Sequence, residues 1–240
     1  MTNPTAAMLV IGDEILSGRT RDANMYHLAG ALTRAGIDLC EVRVVCDETR
    51  AITAAVQALS AAFDTVFTSG GIGPTHDDIT ADAVARAFDL AIDVRADARA
   101  VLAAHYEPRG QELNAARLRM ARIPEGATLI DNPVSAAPGF TIGNVHVMAG
   151  VPQIFEAMVA SVLPTLTGGA PLLSQSLDVR RGEGDIAGPL SDLAARYPDL
   201  SLGSYPFQRD GYHGAQVVIR GPDVARVDAA MAELAGLFPA

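Results

Sequence analysis

The chain has 240 residues, 49% of them hydrophobic, enough for a sizeable core and too apolar for a disordered segment. Its 28 acidic residues outnumber its 18 basic ones, and a formal net charge of −10 argues against nucleic acid or anionic lipid as partners. Every basic residue is Arg, which excludes a Walker-type phosphate lysine and a Schiff-base lysine.

From the N-terminus, Ala7–Ile11 is a short apolar strand ending in Gly12-Asp13-Glu14. A helix is expected from about Asp22 to Ala35, with Leu28, Leu32 and Ala35 at helical spacing and Gly36 just past its end. Ile37–Cys46 reads as a strand; Cys40 and Cys46 within it are too far apart for a disulfide and are expected to be buried small hydrophobes. Ile52, Val56, Leu59 and Phe63 form one apolar stripe on a second helix. Thr65–Ser69 is a third strand, stopping at Gly70-Gly71-Ile72-Gly73-Pro74, and a helix is expected over Asp78–Phe88. Residues 95–122 read as helical with a break at Pro108-Arg109-Gly110. Val145–Met148 is a further strand, and Pro152 suits the first position of the helix that follows. This alternation predicts an α/β fold, a mainly parallel sheet covered on both faces.

Residues 164–171 read as a linker, so the expected domains are 1–166 and 171–240. The second is a small βαββα subdomain with a hairpin turn over Gln208–Gly214. The N-terminus lacks a signal-peptide pattern and the apolar runs have only strand length, so a cytoplasmic protein without a membrane partner is expected.

Ligands of open parallel sheets bind outside the carboxyl ends of the strands. Three strands here end in glycine turns, at Gly12, at Gly70-Gly71 and at Gly150, and parallel strands would bring all three to one edge. A helix opening at Asp78 behind the glycine loop would turn free N–H groups toward an anion. The acids Asp77, Asp78, Asp13 and Glu14 would repel that anion, and a Mg2+-like divalent ion resolves the conflict. Asp78 and Asp13 are its expected ligands. Thr75 and Asp78 also stand at capping-box spacing, so a capping role is the alternative. His76 is expected to be a solvated bystander. Asn132 to Phe140, with two prolines and a glycine, makes a rigid turn that could wall the pocket.

Gly12 to Gly18, Gly70 to Thr80, Asn132 to Phe140 and Gly150-Val151-Pro152 together resemble the N-terminal domain of the competence/damage-inducible protein A (CinA) family. That resemblance implies a three-layer, molybdopterin-binding-like fold, and a homo-oligomer. Related proteins bind molybdopterin and adenylylate it. CinA members, and a similar domain of eukaryotic FAD synthase, hydrolyse ADP-ribose or FAD with a divalent metal. Carried over, the resemblance implies a phosphate-bearing small molecule held by Gly12, Asp13, Glu14, Gly70, Gly71, Gly73, Pro74, Thr75, Thr80 and Gly150, with Asp78 and Asp77 as catalytic residues. The alternatives are a molybdopterin-binding or adenylyl-transfer protein and a non-catalytic nucleotide module. Met148-Ala149-Gly150 departs from the Pro-Gly of many members, and the deamidase activity of longer CinA proteins is not expected of a sequence ending at Ala240.

Overall fold

The computed structural model describes residues 3–209 and 211–239. They divide between Gly169 and Ala170 into two compact units. The first runs β1 (Thr5–Ile11), a single turn α1 (Asp13–Leu16), α2 (Asn24–Ala35), β2 (Asp38–Val45), α3 (Thr49–Ala62) and β3 (Thr65–Ser69). It continues through α4 (Thr80–Ala87), β4 (Ile92–Val94), α5 (Ala96–Tyr106), α6 (Ala115–Arg119), β5 (Arg122–Pro124), β6 (Thr128–Ile130), β7 (Gly139–Ile142), β8 (Val145–Met148) and α7 (Pro152–Val162).

The main sheet has the order β2-β1-β3-β8-β7-β6. β2, β1, β3 and β8 are mutually parallel, whereas β7 runs antiparallel to β8 and to β6. Alternation along β1 builds the layers. Ala7, Leu9 and Ile11 pack on one face with Ile52, Val56 and Leu59 of α3 and Val84 of α4. Ala6, Met8 and Val10 face the other way, onto Leu28 and Leu32 of α2 and Phe155, Met158 and Val159 of α7. Burial on both faces explains why β1 reads as a continuous apolar run. Each fully buried Leu or Phe here contributes about 2 kcal/mol relative to exposure. The three-layer, mainly parallel fold is thus present, with a mixed edge.

The structure corrects several local expectations. The short strands β4 to β7 carry too few residues for a periodic signal and are absent from the expectations; of the expected helical stretch 95–122, Ala96–Tyr106 and Ala115–Arg119 are α-helix. α2 starts at Asn24 because the Asp22 carboxylate accepts from the Met25 N–H and stays outside the helix. Helix α4 starts at Thr80 and not at Asp78, whose carboxylate is engaged by Thr75. Cys40 is exposed and Cys46 half-buried, because β2 is an edge strand with one side open to solvent.

The second unit is β9 (Leu173–Val179), α8 (Glu183–Arg196), β10 (Ser201–Arg209), β11 (Tyr212–Gly221) and α9 (Val224–Leu237). Its strands form an antiparallel sheet of order β10-β11-β9. Val217 and Ile219 pack there on Ile186, Leu193, Val227 and Leu234 of the helices. Pairing of β10 with β11 extends to Arg209 and Tyr212, so most of the expected turn Gln208–Gly214 is strand; Asp210 within it lies outside the described residues.

His146 on β8 is 5% exposed, its Nδ1 2.8 Å from the Thr141 hydroxyl and its ring stacked near Phe67. Burial pushes its pKa down from 6.5 to about 4. The unfolded chain therefore binds a proton that the folded chain refuses. Stability from this group is complete above the unfolded value of 6.5 and is lost as pH falls toward 4. The expected loss is about 3 kcal/mol, read as a fall in denaturation midpoint across that window. A His146→Leu protein should lack that part of the pH slope; an unchanged slope would assign it to other groups.

Candidate functional site

Register aligns Val10 with Ser69, and Ser69 with Met148, so β1, β3 and β8 end side by side. The turns at Gly12, Gly70 and Gly150 therefore leave the sheet at one edge, around a cleft of about 570 Å3. Gly70 has φ +110° and Gly71 φ +70°, conformations that disfavour L side chains. A Cβ on Gly70 would lie 2.2 Å from the Ile11 carbonyl oxygen, and one on Gly71 2.1 Å from Thr80 Oγ1. Only glycine lets this loop pass between the neighbouring strand ends.

One part of the cleft wall offers donors. Among the described residues the N–H groups of Gly71, Ile72 and Gly73 have no acceptor. Val151, Pro152 and Ile154 bring the start of α7 to the same cleft; that helix has no side-chain cap and no acid in its first turn. Free N–H groups and the helix dipole both favour an anion here. Another part is acidic, with Glu14, Asp47, Asp77 and Asp78 on the wall. Burial, and then the charges of Asp13, Glu14 and Asp77, push the Asp47 carboxyl above its usual range, while the Asp13 N–H at 2.9 Å pulls it back. Asp78 Oδ2 accepts from Thr75 N–H at 2.8 Å and from Thr75 Oγ1 at 2.5 Å, and Arg119 Nη2 donates to its carbonyl at 3.1 Å.

Of the sequence-derived candidates, Gly12, Glu14, Gly70, Gly71, Gly73, Pro74, Asp77, Asp78 and Gly150 line the cleft. Asp13, Thr75 and Thr80 do not. Successive helical residues point about 100° apart, so α1 presents Glu14 and turns Asp13 aside. Thr75 serves the Asp78 carboxylate, and Thr80 is buried beneath Gly71 with its hydroxyl unpartnered. The side chain of His76 is 98% exposed and off the wall. Asn132 organises its loop by accepting from Val134 N–H and Ser135 N–H and donating to Ser135 Oγ and the Ala137 carbonyl. Asn132, Ser135 and Ala137 do wall the cleft.

Sequence reasoning missed Asp47, Arg19, Thr20, Arg119 and Asn24. Asp47 sits past β2, in a stretch without a glycine turn. Asn24 is buried and its Nδ2 donates to Ser69 Oγ and to the Gly150 carbonyl, both at 2.8 Å, strapping two strand ends together. An Asn24→Ala protein should lose about 2 kcal/mol, since both acceptors are left without their donor. Chemical denaturation checks it; a loss within error would make the strap incidental.

Among the described residues, no three His, Cys, Asp or Glu side chains form a ready metal cage. Mg2+ does not need one, since it takes one or two carboxylates and completes its shell with water and substrate phosphate. The wall carboxylates Glu14, Asp47, Asp77 and Asp78 are oxygen donors of that kind.

Residues 7–168 match the family described as "Probable molybdopterin binding domain", and residues 171–240 match "FAD synthase, middle domain". A CinA-like protein of Citrifermentans bemidjiense is 40% identical over 167 residues, 68% of this chain and 40% of that protein. A probable FAD synthase of Caenorhabditis elegans is 30% identical over 259 aligned residues, 98% of this chain and 50% of that protein. The chain thus spans half the length, or less, of these two relatives. The crystal structure of the protein CinA with unknown function from Thermoplasma acidophilum superposes with a TM-score of 0.63 at 32% identity, covering 69% of this chain and 99% of that one. Since the family match takes in most of the sequence, this chain belongs to the probable molybdopterin binding domain family and is a relative of its CinA-like members.

Proposed function

We propose that the chain hydrolyses the phosphoanhydride bond of a nucleotide pyrophosphate of the ADP-ribose or FAD type, with a Mg2+-like divalent cation. The carrying observation is that unpaired N–H groups at Gly71, Ile72 and Gly73 share one cleft with Glu14, Asp47, Asp77 and Asp78. The donors alone fit an anion. The acids would repel it unless a cation joined them, and a pyrophosphate carries enough oxygens to serve both sides. The relatives named FAD synthase and the FAD synthase middle-domain match support a dinucleotide pyrophosphate as substrate.

Asp78 would hold the cation, which when bound would supply positive charge against the phosphate oxygens, while Asp47 and Glu14 add negative charge to the same wall. The glycine-loop N–H groups and the start of α7 hold the phosphates and stabilise charge on them as attack proceeds. Water adds to one phosphorus, the P–O bridge breaks toward the leaving phosphate, and a proton passes to a carboxylate of the same wall. AMP is one product. The test is AMP release from ADP-ribose and FAD with Mg2+, Mn2+ or Co2+, against a chelator blank. Absence of AMP under every metal would overturn the hydrolase.

The family description favours a second reading, molybdopterin binding or its adenylylation at the same cleft. Tight molybdopterin binding with ATP-dependent adenylyl transfer and no hydrolysis would select it. Binding of nucleotides without turnover would instead make the domain a sensor. A homo-oligomer belongs to the same proposal, supported by exposed Leu16, Met25 and Tyr26, and light scattering on the purified chain reads it directly.

A further inference from the structure

The C-terminal unit holds a concave site of its own. β9 ends at Val179, and the chain bends through Arg180 and Arg181 before entering α8. The β10–β11 hairpin adds Phe207, Arg209 and Tyr212, and Phe238 closes the end of α9. Together they line a cleft of about 510 Å3, within the range of small-molecule sites.

Three arginines and one aspartate line it. Arg209 Nη1 lies 3.2 Å from Asp178 Oδ2, and Asp178 also accepts from Gln216 Nε2 at 2.8 Å. Arg180 and Arg181 meet no carboxylate among the described residues. Among the described residues, two adjacent arginines without a carboxylate partner stand beside a third that is paired with Asp178, so these residues leave the cleft positive.

The guanidiniums are nonetheless positioned. Arg180 stands 4.9 Å from the Tyr212 ring centre, Arg181 5.7 Å from Phe238, and Arg209 4.9 Å from Phe207. Stacking uses the face of a guanidinium and leaves its in-plane N–H donors free, the edge that grips phosphate in a two-pronged fashion. Tyr212 remains 56% exposed, so apolar ring surface borders the cationic edge.

We infer that this cleft binds a nucleoside phosphate, with Arg180, Arg181 and Arg209 holding the phosphates and the exposed ring of Tyr212 receiving the base. Arginine forks for phosphate beside aromatic surface for a planar base is the combination that such ligands require. The site lies wholly within the second unit and stands whether or not the first hydrolyses anything.

The test is hydrogen-exchange mass spectrometry on the full chain, titrated with ADP, inorganic pyrophosphate or adenosine. ADP should protect peptides covering residues 173–181 and 202–220, with pyrophosphate and adenosine each much weaker. Arg180→Gln/Arg181→Gln should weaken that protection at least about tenfold, since each lost charged contact is worth roughly a tenfold change in affinity. Both side chains are exposed, and an unchanged melting temperature verifies folding; if the double variant melts early, R180Q and R181Q singly should each show a partial loss. No protection of these peptides at millimolar ADP would overturn the site. So would protection that survives both substitutions, pyrophosphate binding as well as ADP, or protection by a single-stranded oligonucleotide alone.

Discussion

Replacing Asp78 by Asn is expected to slow AMP release from ADP-ribose or FAD by on the order of a hundredfold to ten-thousandfold, the span typical for removing a charged catalytic group. Asn has nearly the same shape, and its side-chain oxygen can still accept from Thr75 N–H and Thr75 Oγ1, as Asp78 Oδ2 does. The loop from Gly70 to Asp78 should therefore keep its conformation, and the melting temperature should barely move. What disappears is one negative charge on a wall shared with Glu14, Asp47 and Asp77. Asp13→Asn is the matched control, because Asp13 carries the same charge nearby but is off that wall. Equal losses in the two proteins would indicate a general field effect. Native turnover in Asp78→Asn would remove this carboxylate from the mechanism.

That control separates what the sequence disclosed from what it hid. The strand-end turns were legible because a glycine after an apolar run has few other uses, and Gly12, Gly70, Gly71 and Gly150 do meet at one cleft. Asp13 and Glu14 could not be told apart without knowing that α1 begins between Gly12 and Asp13 and turns the two side chains to different sides. Asp47 was invisible for the opposite reason. It owes its place to the pairing of β2 along β1, which sets Val45 beside Ile11, and no local motif announces a neighbour 34 positions away. The start of α4 was misplaced because Asp78 is a good helix-opening residue in isolation; here its carboxylate closes a loop on Thr75 and the helix waits until Thr80. The layers were readable wherever a whole strand is buried, as in β1, and unreadable in the three-residue strands β4, β5 and β6.

Gly70→Ala should cost about 4 kcal/mol or more of stability, combining a strained backbone with a steric clash. The φ of +110° is one that alanine adopts only under strain. The added methyl would also lie 2.2 Å from the Ile11 carbonyl oxygen, which belongs to the backbone of β1, a strand paired on both sides. A flexible side chain could move aside; this oxygen cannot without shifting β1 against β2 and β3. Gly150 adds a second constraint, since its own backbone passes close to Gly70. Denaturant unfolding reads the loss, and the surviving folded fraction should also show weaker nucleotide binding, because the N–H groups that follow at Gly71 and Gly73 are carried on the displaced segment. Gly18→Ala is the comparison. Gly18 has φ +72°, but nothing lies within 4 Å of an added Cβ, so only the backbone strain of about 1–2 kcal/mol should appear. If the two glycines cost the same, contact with Ile11 is not what fixes residue 70, and the close passage of the loop between the strand ends has been overestimated.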